Sequence, residues 1–167
     1  RVEQIRRASR HLLGILTDID DTLTTDGAIT PDALQALGAL KASGLHVIPI
    51  TGRPVGWSEP FAATWPVDAI VAENGAVALQ RSAEVFDQKS LLPNHSKREQ
   101  LSKIYQQDAA TRAANYANMQ QVLAQIEREV PGARRATDSP GRETDIAIDH
   151  SEFTHLPQDA IDHAVRI

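Results

Sequence analysis

The chain has 167 residues, 41% apolar and 23% charged, a composition typical of a soluble globular protein with one ordinary domain, or one domain plus part of another. Its formal charge of -5 and pI near 5.6 argue against a protein that holds nucleic acid through its overall field. Cysteine is absent, which excludes disulfides and thiolate metal sites, and no apolar stretch approaches the roughly 18–20 residues of a membrane-spanning helix.

Residues 1–11 are basic and lack the apolar core of a signal peptide, so they read as a solvated leader. With no cysteine to protect, the expected location is the cytoplasm, and neither nucleic acid nor a membrane is an expected partner. The apolar run Leu12-Leu13-Gly14-Ile15-Leu16 then predicts a buried strand over about 12–18, followed directly by Asp18, Asp20 and Asp21. Carboxylates beside a buried strand need compensating partners or take up protons. Hard oxygen donors without sulfur select Mg²⁺ as that partner. Two carboxylates so spaced suit a two-step displacement, with Asp18 attacking covalently, Asp20 carrying the proton and Thr22 shaping the turn. An Asp-rich turn is also a common solvated loop, so the cluster alone leaves both readings open.

Thr30-Pro31-Asp32 offers an N-cap, a first-turn proline and an early acid, and the apolar spacing that follows predicts a helix ending at Gly44. A strand is expected over 45–50, with Pro49 an objection to it, then a helix over about 55–64 in which Trp57 and Trp65 pack. A third strand, 67–72, ends at Glu73-Asn74-Gly75, with a further strand over 76–79. Three strands separated by helices argue for parallel βαβ units. Ligands bind beyond the carboxyl ends of such strands, so the clusters at 18–22, 51–53 and 73–75 should converge on one edge.

From residue 81 the character changes, giving a division into a Rossmann-like core over 1–80 and a second, α+β module over 81–167. A long helix is expected over 97–130, ended by Pro131-Gly132. Strands over 133–137 and 144–149 flank a loop, and Pro157 opens a last helix. His150 and His155, with Asp149 and Glu152, match no strong metal spacing and read as solvated loop residues.

Asp18-Ile19-Asp20-Asp21-Thr22, Ile50-Thr51-Gly52-Arg53 and Ala72-Glu73-Asn74-Gly75-Ala76, in that order, resemble the haloacid dehalogenase-like hydrolase superfamily. Within it the chain is similar to the subfamily IIB phosphatases, including sugar-phosphate phosphatases, which carry a cap inserted after the third strand. The resemblance covers about residues 12–80 strongly and the cap weakly. It implies an α/β Rossmann-like core with an inserted α+β cap, and hydrolysis of a small phosphorylated metabolite through an aspartyl-phosphate. Asp18 matches the nucleophile and a Mg²⁺ ligand, and Asp20 the general acid and base whose backbone carbonyl also reaches the metal. Thr51 matches the phosphoryl-binding hydroxyl, beside Gly52.

Arg53 reads either as an anion ligand or, slightly preferred, as a salt bridge fixing its loop. Asn74 is a substrate-binding candidate beside a turn glycine. Arg142 and Glu143 are candidates for sugar hydroxyls or a second anion, with surface charge the preferred reading. The family's later lysine and its Gly-Asp/Asn-Asp pair do not occur before Ile167, so the resemblance implies a chain cut short of a longer phosphatase. The alternatives are a non-catalytic phosphate-binding or regulatory domain and a receiver domain, the latter opposed by the Asp18, Asp20 pair and the insertion after residue 80.

Overall fold

The computed structural model describes residues 12–81 and 101–167. β1 (Gly14–Asp18) runs into a small hairpin, β2 (Thr24–Thr25) and β3 (Ala28–Ile29), turned by Asp26 and Gly27 at φ 52° and 77°. That Asp-Gly pair is the standard two-residue hairpin signal. α1 (Pro31–Ala42) is capped by Thr30, whose hydroxyl accepts the Ala33 N–H at 3.4 Å, and the chain leaves it through Gly44 at φ 85°. β4 (His46–Ile50), α2 (Val55–Thr64) and β5 (Ala69–Ala72) complete the expected βαβαβ order.

Between α1 and β4 sits Asp68, which takes the Lys41 ammonium at 2.5 Å on one oxygen and the Val47 N–H at 2.7 Å on the other. Burial would raise its pKa, but these donors outweigh it and hold the carboxyl below its ordinary value. Along α2 and its C-cap, Trp57 meets Phe61 edge-on and Phe61 meets Trp65 at a tilt, with centroids 4.6 and 4.8 Å apart, so the tryptophans pack as expected.

β6 (Val77–Arg81) turns back on β5, and β7 (Leu101–Tyr105) continues the sheet in the order β1-β4-β5-β6-β7. The first three strands are parallel and the last two antiparallel. Its core is built from Ile19, Leu37, Val47, Val55, Ile70 and Leu79. Pro49 is accommodated inside β4, opposite Thr17. Among the described residues β1 is the marginal strand of the sheet, and the expectation of a buried strand is corrected there: Leu13 and Leu16 are 82% and 67% exposed.

The helix expected over 97–130 is also corrected. Within the described residues, 101–105 pair with β6, and α3 (Ala109–Glu129) begins only where the Asp108 carboxylate accepts the Ala110 and Thr111 N–H groups, each at 2.9 Å. Residues 97–100 lie outside the described residues. The strands expected over 133–137 and 144–149 shorten to β8 (Arg134–Arg135) and β9 (Ile148–Asp149), an antiparallel pair. α4 (Gln158–Arg166) follows Pro157. A second apolar cluster joins Ile126, Val130 and Ala133 to Ile148, Leu156, Ala160 and Ala164.

Candidate functional site

The strand register decides what meets at the edge. Asp18 pairs with Ile50, and Ile50 with Val71, so the chain leaves β1, β4 and β5 at one level. The three polar clusters follow from there.

At the end of β1, Ile19 is fully buried and its carbonyl accepts the N–H groups of Leu23 and Thr24 at 2.9 and 3.1 Å. This tight turn drives the intervening side chains outward. Asp18 is exposed, with the Thr22 hydroxyl at 3.5 Å as a long contact. Asp20 turns to the next loop: Oδ1 accepts from Arg53 Nε at 3.0 Å and Oδ2 from the Thr51 hydroxyl at 3.2 Å.

Thr51 is buried, 3% exposed, and its Oγ1 also accepts the Arg53 N–H at 3.0 Å. Gly52 is a close-approach position, since a Cβ there would stand 2.9 Å from Asn74 Oδ1. Arg53 is ion-paired with Asp20 at 3.0 Å, and its guanidinium also lies over the Trp57 ring, 5.5 Å from the centroid.

At the end of β5, Glu73, Asn74 and Gly75 all have positive φ, 48°, 56° and 104°. The Asn74 N–H reaches the Thr51 carbonyl at 3.2 Å, and its side-chain amide donates to Asp145 at 3.2 Å.

The segment 138–152 faces this edge. Backbones touch where Gly141 meets Gly56 at the start of α2: a Cβ on Gly56 would stand 3.2 Å from Gly141 Cα. Arg142 is not surface charge. Its side chain is 8% exposed and pairs with Asp138 at 3.1 Å and Asp145 at 2.7 Å, while Nη1 donates to the Gly52 carbonyl at 3.2 Å. Glu143 points elsewhere, to Lys103 at 2.6 Å and Tyr105 at 2.5 Å. Burial pushes the Asp145 carboxyl up, and Arg142 offsets this only in part. Burial acts the same way on Glu143, but Lys103 and Tyr105 outweigh it and hold it low.

A cleft of about 360 Å³ lies between Asp20, Gly52 and Arg53 on one side and Asp138, Arg142 and Glu152 on the other. Asp18 stands outside that lining, at the tip of β1. His150 and His155 are exposed, and the Asp149 carboxylate instead accepts the N–H groups of Glu152 and Phe153 at 2.9 and 3.0 Å. Among the described residues no group of three His, Cys, Asp or Glu could hold a metal ion.

A model of the haloacid dehalogenase-like hydrolase family matches residues 15–153. The chain belongs to the haloacid dehalogenase-like hydrolases. Two solved structures share this hydrolase's fold. The Thermoplasma acidophilum 0175 protein aligns with 93% of the chain at a TM-score of 0.62 and 13% identity. The ATP-bound IMP-nucleotidase of Plasmodium falciparum aligns with 93% at 0.54 and 11% identity. These likenesses are of fold alone. The hydrolase chain spans 56% and 40% of those two chains. A Streptococcus pyogenes serotype M6 protein provisionally named as a phosphatase is 50% identical over 42 residues, 25% of this chain and 16% of that protein.

Sequence reasoning placed Glu73 in the strand-end cluster at 73–75 but gave it no role of its own, although an acid between a strand end and an Asn-Gly pair is a visible oddity. It also passed over Asp145 and the Gly56–Gly141 contact, which no local pattern reveals.

Proposed function

We propose that this hydrolase is, in its whole form, a Mg²⁺-dependent phosphatase of small phosphorylated metabolites, possible sugar phosphates among them, that works through an aspartyl-phosphate. The observation that carries this reading is the convergence of Asp18, Asp20 and Thr51 on one sheet edge, in a chain of this family. Residues 1–80 would form the core, and residues 81–167 the part of the cap present here. Among the described residues no helix is long and apolar enough to cross a membrane, and action in the cytoplasm fits this reading.

Asp18, exposed at the strand tip, would attack phosphorus as the ester P–O bond breaks, and the leaving oxygen would take a proton from Asp20. Water would then attack the same phosphorus, give its proton to Asp20, and release phosphate and the free Asp18 carboxylate. Thr51 has one hydroxyl proton, committed to Asp20 in the structure. Donating it to a phosphoryl oxygen would take that donor away from Asp20 Oδ2, which leaves Arg53 as the partner of this carboxylate.

The donor set fits Mg²⁺ in kind, because the Asp18 carboxylate and the Asp20 backbone carbonyl are hard oxygens. In number the described residues supply fewer protein ligands than a closed site holds, which suits an ion that keeps several waters. Bound there, Mg²⁺ would neutralise charge on the transferring phosphoryl group.

The deciding experiment measures phosphate release from a panel of small phosphate monoesters, with Mg²⁺, by the whole natural protein and its Asp18→Asn variant. The variant should lose at least about a thousandfold in kcat while keeping its fold. Wild-type turnover in Asp18→Asn would refute the nucleophile assignment. Binding of phosphosugars by the whole protein without turnover would favour a phosphate-binding or regulatory domain.

A further inference from the structure

Glu73 is 2% exposed and bridges two segments far apart in sequence. Its Oε1 accepts the Val55 N–H at 3.0 Å and the Glu143 N–H at 2.9 Å, and its Oε2 accepts the N–H and hydroxyl of Thr144 at 2.6 and 2.5 Å. Val55 opens α2, whose N-cap, Pro54, makes no side-chain capping bond. The Glu73 carboxylate therefore satisfies an orphan N–H of that helix and faces the positive end of its dipole. A carboxylate so deeply buried is tolerated only with such a complete set of donors.

The backbone gives a second, independent sign. Glu73 has φ 48° and its neighbour Asn74 φ 56°. Asn visits this left-handed region readily and Glu does not. Strain of this kind persists where the surroundings over-determine it, and it clusters at ligand clamps and active sites.

We propose that Glu73 is a positioning residue. By docking Glu143 and Thr144 on the start of α2, it holds Arg142 against the Gly52 carbonyl and so fixes the Thr51–Arg53 loop. That this loop receives a phosphoryl group rests on the phosphatase reading. Arg142 serves the loop rather than a ligand: Nε and Nη2 are taken by Asp138 and Nη1 by Asp145 and Gly52, which commits four of its five N–H donors. The glycine contact between residues 56 and 141 seats the segment with backbone against backbone. Separating the two segments would strip Glu73 of three donors at once.

The test compares amide hydrogen exchange in the wild type, Glu73→Gln and Thr144→Val, with calorimetric binding of inorganic phosphate alongside. Glu73→Gln puts an NH₂ group where an acceptor is needed. It should speed exchange at Val55, Glu143 and Thr144 at least about tenfold. The effect should spread to Arg53, whose N–H rests on Thr51, while the β4 and β5 amides hold their rates, a pattern that a general loss of stability does not produce. Phosphate binding should weaken by at least about tenfold. Thr144→Val removes one donor at constant shape and should give the same pattern more weakly. It carries the test if Glu73→Gln does not fold. Unchanged exchange at Arg53 in the folded variants would overturn the proposal, even with residues 143 and 144 loosened, because Glu73 would then only cap α2. If the wild type binds no phosphate yet shows the expected exchange pattern, the phosphatase reading fails and the loop-positioning role stands.

Discussion

Thr51 concentrates more of the site's hydrogen bonding than its size suggests. It is buried, and one hydroxyl serves Asp20 and the Arg53 N–H together. Thr51→Ser keeps donor and acceptor and should leave stability within about 0.5–1 kcal/mol of the wild type. Thr51→Val keeps the shape but removes both bonds, and should cost about 1–3 kcal/mol. Urea unfolding of the pair separates them, and equal midpoints would show that the hydroxyl does not hold the loop. The place of Thr51 at a strand end was legible in sequence because the polar Thr51-Gly52-Arg53 closes an apolar run, whereas its hydrogen bonds to Asp20 and Arg53 belong to the fold. Arg142 was misread as surface charge because its neutralising partners, Asp138 and Asp145, look like ordinary loop acids until the fold closes them around it.

At the level of elements, the parallel half of the sheet was readable from short apolar runs ended by polar clusters, and the Thr30 cap was readable from residue types alone. β7 was not, because five residues flanked by polar sequence carry little periodicity, and their strand state comes from pairing with β6. The Asp108 cap was the available signal that the helix starts late. The junction of β1 and β4 can be tested directly. A Cβ on Gly14 would stand 2.7 Å from the His46 carbonyl oxygen and 2.9 Å from His46 Cβ, and a backbone atom cannot move aside like a side-chain tip. Gly14→Ala should therefore destabilise by about 1–3 kcal/mol and shift the register that sets Asp18 beside Ile50. Stability equal to wild type, with unchanged β1 amide shifts, would mean that the two strands part at no cost.

At the scale of the molecule the carboxyl groups act mainly in one direction. Among the described residues Asp32, Asp68, Asp108, Glu127, Glu129, Glu143 and Asp149 are held below their ordinary values of 3.8 or 4.5, by different partners in different elements. A carboxyl whose folded pKa is depressed binds fewer protons in the native state than in the unfolded one. Its contribution is complete above the unfolded value and disappears as pH falls through the folded value. Asp145 has the opposite sign: burial raises it, so the native state gains from its protonation as pH falls. Seven such groups against one, among the described residues, predict a net loss on acidification. The Tm should be flat from about pH 7 to 5.5 and then fall by roughly 5 °C or more on the way to pH 3.5. Asp68 offers the cleanest check, since it joins α1 to β4 and its side chain is 27% exposed. Asp68→Asn keeps the shape, cannot pair with Lys41, and should cost about 1 kcal/mol at pH 7. That difference should shrink towards zero as pH falls through the folded value, which lies below 3.8, because the wild-type carboxyl then becomes protonated too. A Tm gap between the two proteins that stayed constant through acid unfolding would show that the carboxylate's charge does not stabilise this junction, and that acid sensitivity arises elsewhere.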